Sequence, residues 1–453
     1  MLEGKKRGLL EQISNNWIKI YFGVALLALV FAYGMATAHY KLFPYGFMQN
    51  AISAARDWAS SGKQYARIKP DKHLRPSRRE GSEVSRHEPE KTWPGITLIA
   101  GMWGEQLGIR LVDMNGKILH EWQTSFNSTW PEATHLKVQP HDWDTAIHGM
   151  VAYPDGRIVF NYEHDGLVAI DRCSNVLWKI PELTHHSAYR ADDGTLWVGN
   201  NIRRDERQPQ FSMLEPPYWE ESLMQVAENG EILRRISLLD VMHDSGYEGF
   251  LVDPNEHMPG KKWFNTVESK RMDITHLNDI EVLPAELADA FEQFEAGDIM
   301  VSMRNLDLVI VIDPETETIK WSNTGPWLMQ HDPDFQPDGS ILVFDNRARR
   351  YSTAPEYGSR ILRIDPVTRA VDIVYEGTPD DSFYTSQMGK LQGLANGNVL
   401  IVEPEAGRVF EVNSEQETVW EYINRWSDTE VAFVSDSIRL PDDYFEFSSE
   451  ACE

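Results

Sequence analysis

Ile20 to Ala38 is the longest stretch of the chain without a charged residue. Wound as a helix it reaches about 28 Å, close to the hydrocarbon thickness of a bilayer. From Trp93 onward the pattern changes to short apolar strands separated by polar turns. One unit is a Gly-led or apolar strand, a tight turn and a second strand that often closes on tryptophan. It recurs as GIRLVDMNGKILHEW (108–122), GLVAIDRCSNVLWKI (166–180), LMQVAENGEILRRISL (223–238), LDLVIVIDPETETIKW (306–321), SRILRIDPVTRAVDIVY (359–375) and GRVFEVNSEQETVWEY (407–422). Within each, alternation of apolar and polar positions predicts strands packed on one face, joined by hairpin turns.

A second repeat is interleaved with the first: a polar or histidine-bearing entry, an Asp-Gly or Asn-Gly turn, then an apolar strand. Its copies are HGMVAYPDGRIVFNY (148–162), HSAYRADDGTLWVGN (186–200), HDPDFQPDGSILVFDN (331–346) and GKLQGLANGNVLIVE (389–403). A fifth, beginning HLNDIEVL at His276, reaches its glycine only at Gly297, after an inserted helical segment. Six four-stranded units predict an all-β, six-bladed β-propeller, because one blade cannot bury both of its faces alone. A pair of sandwiches and a seven-bladed ring with one degenerate blade are the alternatives. Segment 433–447 follows the sixth unit and is expected to return to the first blade and close the ring. Segments 201–222, 241–272 and 284–296 read as insertions on channel-face loops.

Lys5, Lys6 and Arg7 precede the apolar helix, so the N-terminus is expected in the cytoplasm and the propeller outside it. Ala36-Thr37-Ala38 also has the form of a signal-peptidase site, which leaves a cleaved signal as the other reading. The expected organisation is a cytoplasmic stretch (1–19), an anchor (20–38), a stalk and linker (39–92), the propeller (93–447) and a tail (448–453). Within the stalk, 41–66 reads as a short amphipathic helical segment. Residues 67–92, rich in Pro, Arg, Glu and Ser, read as an unpaired linker whose basic side chains rest on anionic lipid.

Charge sharpens this division. Residues 1–92 carry 15 Lys/Arg against 8 Asp/Glu, whereas 93–453 carry 28 against 62. So acidic a propeller argues against nucleic acid as a partner. Oligomeric state is not legible. The two cysteines, Cys173 and Cys452, lack metal-site spacing; they are either a disulfide tying the tail to a blade or two free thiols.

His148, His186 and His331 each stand seven residues before the aspartate of an Asp-Gly turn, and His276 opens the same kind of strand. In a propeller that strand is innermost, so equivalent positions converge on the axis. Arg304, on the strand after His276, is a natural fifth member. Neutral imidazole can attack a transferable group, a second imidazole can move the proton, and guanidinium grips a tetrahedral oxyanion. Taken alone, such histidines solvate a channel rim; four at one phase point to chemistry. Three-histidine metal binding is the competing chemistry, but no carboxylate cluster appears at the same phase, so neither metal nor cofactor is expected.

Several stretches resemble the arylsulfotransferase family: QHDPDFQPDGSILVFDN with SRILRIDP, FYTSQMGKLQGLANGNVLIVEPEAGRVFEV, THLNDIEV with SMRN, and the closing SIRLPDDYF. The resemblance covers about 94–447. It implies transfer of a sulfuryl group from an aryl sulfate to a phenol, without a nucleotide donor, through a transiently sulfated histidine. His331 resembles that nucleophile, and His276 and Arg304 resemble the residues that hold sulfate. Either His148 or His186 resembles the remaining channel histidine. Asn278 and Tyr384 are expected to contact substrate. The chain departs from better-known members in having an anchor and basic stalk where they carry a separate N-terminal β-domain. A non-catalytic anchored scaffold is the main alternative function, and a quinone-dependent dehydrogenase propeller a weaker one.

Overall fold

In the computed structural model, described for residues 2–40, 42–43, 70–251, 273–348, 358–446 and 452, the chain divides into two units, 1–68 and 69–453. The first contains one continuous helix, Leu2–Tyr40, whose segment Lys19–Thr37 is long and apolar enough to cross a membrane. The same length and composition also fit a signal sequence. The amphipathic segment read over 41–66 falls almost wholly outside the described residues.

The second unit is a six-bladed β-propeller. Its blades start from innermost strands Val434–Leu440, Ile147–Ala152, Thr184–Arg190, Leu277–Val282, His331–Phe335 and Lys390–Gly393, numbered here blades 1 to 6. Each innermost strand touches the next, and that of blade 6 touches that of blade 1. Blade 1 is assembled from both ends of the domain. The C-terminal strand pairs with Ile96–Trp103, Ile99 lying opposite Ser437.

Alternation holds only at the rim. Strands such as Ile158–Tyr162 and Gly166–Ile170 are buried at every position, whereas the outermost Val176–Ile180 is mostly exposed. Middle strands are covered by neighbouring blades on both faces, which favours continuous apolar runs. Tryptophans closing the outer strands fasten blade to blade. Trp122, Trp178, Trp321 and Trp420 each donate an indole N–H to a carbonyl of the following blade, at Gly156, Glu228, Pro366 and Met114 respectively. The last of these bonds spans the ring closure.

The linker expected over 67–92 is structured from Pro70 on. Leu74–Pro76 pairs with Glu430–Ala432, and Glu83–His87 adds a fifth, outermost strand to blade 6. Its basic side chains meet protein carboxylates where lipid was expected: Arg78 pairs with Glu403 at 3.3 Å, and Arg79 with Asp381. The acidic propeller supplies the counter-charge, and an open edge of blade 6 supplies the hydrogen-bonding groups that composition does not reveal.

The insertion expected over 201–222 is in part sheet. Leu196–Arg204 and Tyr218–Val226 pair along nine successive positions. Segment 284–296 holds a short helix, Ala285–Ala288, and sends Phe291 and Phe294 into the core between blades 4 and 5. Of 241–272, residues 252–272 lie outside the described residues. Cys173 and Cys452 form a disulfide that ties the tail to the outer hairpin of blade 2.

Candidate functional site

The histidines sit where the innermost strands begin, and there the sheets are irregular. Register shifts interrupt pairing between His148 and Met150, between His185 and Ala188, between Leu277 and Asp279, and between His331 and Asp334. Such bulges re-aim side chains that a regular strand would point into a blade face. His186 and His276 themselves adopt positive φ, 56° and 53°. Gly149 is required: at φ +63°, a Cβ there would lie 2.1 Å from the His186 carbonyl oxygen. Without it, blades 2 and 3 could not approach closely enough to bring His148 beside His186.

Three of the phased rings form a chain: His148 and His186 have centroids 4.9 Å apart, and His186 and His276 5.0 Å. Arg304 Nη1 donates to His276 Nε2 at 3.3 Å. On its other side His276 Nδ1 lies 2.6 Å from Asp273 Oδ2, which orients the ring and directs the Nε2 lone pair toward the guanidinium. His276 backbone carbonyl also accepts the Arg304 N–H at 3.0 Å, so the pair is held as one piece.

His331 is buried, and a network determines its tautomer. Asn346 Nδ2 donates to the carbonyls of Met388 (2.7 Å) and Thr385 (3.2 Å), so its Oδ1 faces the ring and accepts from His331 Nδ1–H at 2.7 Å. The lone pair is therefore on Nε2, where it accepts the Met388 backbone N–H at 3.1 Å. Burial, reinforced by the Arg304 charge, holds His331 well below the usual imidazole range and keeps it neutral. Asn278 Nδ2 donates to the Gln330 carbonyl at 2.7 Å, while its buried Oδ1 has no hydrogen-bonding partner among the described residues. Tyr384 is not tied to this group: its backbone bonds Glu403 and Arg78, and Glu405 and Arg78 are the charges acting on its hydroxyl.

Reading one repeat phase missed a second. Glu163 and Asn346 stand in like positions, each two residues beyond the one paired with His148 or His331 in the second strand of its blade. The endings FNYE, SMRN and VFDN carry that phase in the sequence. Glu163 supplies the carboxylate that was absent from the histidine phase: Oε2 lies 3.0 Å from His148 Nδ1, and Oε1 lies 3.1 Å from His186 Nδ1. Burial alone would raise the Glu163 carboxyl, but His186, His164 and His148 outweigh it and hold the group well below its usual range. His185, next to His186, is fully buried and depressed to about 3 by burial and by the neighbouring His164.

A family model for arylsulfotransferase (ASST) matches residues 149–425, more than half the chain, and begins one residue after His148. The chain belongs to the arylsulfotransferase family. This membership supports an aryl sulfotransferase-type function and aryl sulfate and phenol as substrate classes. No curated protein matches the chain. Solved structures similar to it include a Bacteroides caccae protein of unknown function, 15% identical over 76% of this chain and 98% of that one, at a TM-score of 0.45. A Kuenenia stuttgartiensis hydrazine synthase is 11% identical over 69% and 72%, at 0.41, and a streptogramin B lyase 11% identical over 62% and 69%, at 0.35. Likeness at this level carries no functional argument.

Beside the histidine cluster, Glu221 accepts from Thr275 Oγ1 and, at 2.6 Å, from the Leu277 N–H. Burial, with Asp273 adding to it, pushes its carboxyl up to about 8. The folded protein therefore holds a proton here that the unfolded chain releases near pH 4.5. This contribution to stability is complete below that pH and is lost as pH rises through about 8. Glu221→Gln keeps the neutral shape, so its melting temperature relative to wild type should climb between pH 5 and 9. A constant difference across that range would refute a protonated Glu221.

Proposed function

We propose that this arylsulfotransferase moves a sulfuryl group from an aryl sulfate to a phenol by way of His331. The observation that carries the reading is a neutral, tautomerically set His331 within the field of the Arg304–His276 pair. Nε2 attacks sulfur, an N–S bond forms, and the S–O bond to the aryl group breaks to release phenolate. Arg304 balances charge on the sulfuryl oxygens throughout. In the second half, His276 or His148 takes the proton of the acceptor phenol. The phenolate oxygen then attacks sulfur, and the N–S bond breaks to restore His331. No nucleotide enters either half.

Met388 N–H caps the nucleophilic lone pair, so attack requires that bond to give way. Met388 lies in the segment that leads into blade 6, with φ at +59°, and substrate binding is the natural event to displace it. Asn278, with its free buried oxygen, is placed to receive a donor group of substrate. Tyr384 would serve only as an outer contact.

The N-terminal helix would be a retained anchor with its N-terminus in the cytoplasm and the propeller exported. The Cys173–Cys452 disulfide supports an oxidising compartment for the propeller. A chromogenic aryl sulfate mixed with the full chain and no acceptor should release about one equivalent of phenol per chain, then stall. Adding a phenol should restart turnover. Absence of both the burst and the acceptor-dependent turnover would overturn the proposal.

A further inference from the structure

The phased rings divide into two halves of opposite character. His276 takes a guanidinium on Nε2, with Asp273 on its other nitrogen, and the same guanidinium charge acts on His331, which suits an anion. His148 and His186 face a carboxylate, which suits a cation. We propose that His148, Glu163 and His186 form a binding site for one divalent transition-metal ion of the zinc class.

The geometry is that of a ligand set. One donor atom each from His148, Glu163 and His186 lies within 4.8 Å of the others. His148 Nδ1 lies 3.0 Å from Glu163 Oε2, and His186 Nδ1 lies 3.1 Å from the other oxygen, Oε1. An ion held about 2.0–2.2 Å from each donor requires donors about 3–3.5 Å apart. Two imidazoles and one carboxylate leave an open position, the arrangement that allows a bound ion to meet a further ligand. The donors come from separate pieces of chain brought together by the Gly149 approach, and His148 and His186 are both buried.

The surroundings are built to hold these donors. Glu163 is gripped from the backbone by the His186 N–H at 3.1 Å and from the side by His164 Nε2 at 3.3 Å. His164 is in turn bonded by Asn201 at 3.2 Å, and it shares with His186 a positive φ, 60° and 56°. Backbone strain at two ring-bearing positions implies that aiming those groups has been favoured over local comfort. His185 Nδ1 lies 2.9 Å from His186 Nδ1, a contact that an ion bound at that nitrogen replaces.

A role follows that rests on the proposed sulfuryl transfer. The Glu163 carboxylate is linked through His186 to His276, the edge of the expected sulfate site, and its negative charge would repel an incoming aryl sulfate. A divalent ion reverses the sign of that half and offers its open position to a phenolic oxygen.

The test uses the full chain in detergent, without a polyhistidine tag, stripped by chelator and re-dialysed against Zn2+ or Co2+. One ion per chain by elemental analysis is expected, with a visible Co2+ spectrum and a raised melting temperature. Isosteric Glu163→Gln, together with His148→Ala and His186→Ala, should weaken binding by at least about 100-fold, beyond the usual outer-shell effect. His331→Ala should bind as wild type. No stoichiometric ion in wild type, or unchanged binding in a folded Glu163→Gln, would overturn the site. Bound metal with no sulfuryl transfer would leave the site standing and sink the transferase reading; transfer by the stripped, ion-free chain would retain that reading and remove the metal's role in it.

Discussion

His331→Ala is expected to abolish both the phenol burst and acceptor-dependent turnover, lowering kcat by at least about 10³-fold. The proposed mechanism routes both half-reactions through Nε2, and alanine leaves no atom to carry the sulfuryl group. Asn346→Ala should act differently. It removes the acceptor of the Nδ1 proton, so the ring samples the wrong tautomer and kcat falls while KM changes little. Arg304→Ala should raise KM and lower kcat together, since its charge is proposed to hold sulfate in the ground state and the transition state alike. Turnover of His331→Ala within tenfold of wild type would exclude the covalent route.

Lys390→Met is expected to cost about 3–5 kcal/mol of stability at neutral pH, the penalty of leaving buried charge unpaired. Lys390 enters the channel from blade 6, beyond the histidines, where five carboxylates line a cavity of about 200 Å³. Its ammonium bonds Asp279 at 2.8 Å and also bonds Asp332; all three groups are largely buried. Burial alone would lower the lysine, but Asp279 and Asp332 outweigh it and hold it well above its usual range. Methionine retains the stem volume and removes the charge, so carboxylates from blades 1, 4 and 5 face one another without compensation. Denaturant midpoints should show the deficit shrinking from pH 8 to pH 5 as those carboxyls take up protons. Adding Asp332→Asn should restore part of the loss. A variant within about 1 kcal/mol of wild type at pH 8 would show that the cluster is not held by this lysine.

The blade count was legible because a propeller repeats one physical problem six times. Each blade needs turns at fixed intervals and apolar strands between them, and those demands leave a period in the chain. The histidine phase was legible for the same reason, since Asp155, Asp193 and Asp338 mark the turns from which it is counted. Tyr384 has no such marker. It lies outside the phased positions, and its backbone is bonded to Glu403 and Arg78. The linker shows where that logic fails. Residues 83–87 are largely polar, so nothing local predicts a strand, and the unpaired edge of blade 6 makes pairing favourable there; 74–76 pair instead with 430–432.

Local pattern was thus sufficient for the strands, the turns, the ring and the apolar N-terminal helix, because each answers to solvent and to its immediate neighbours along the chain. Tertiary structure alone decided which polar groups meet: Glu163 between His148 and His186, Asn346 against His331, Lys390 among the channel carboxylates. Those pairings depend on bulges that turn side chains out of register and on blades that approach across a glycine. The positions repeat along the chain, but which groups meet does not follow from the repeat, since the partners in each case come from different strands or blades.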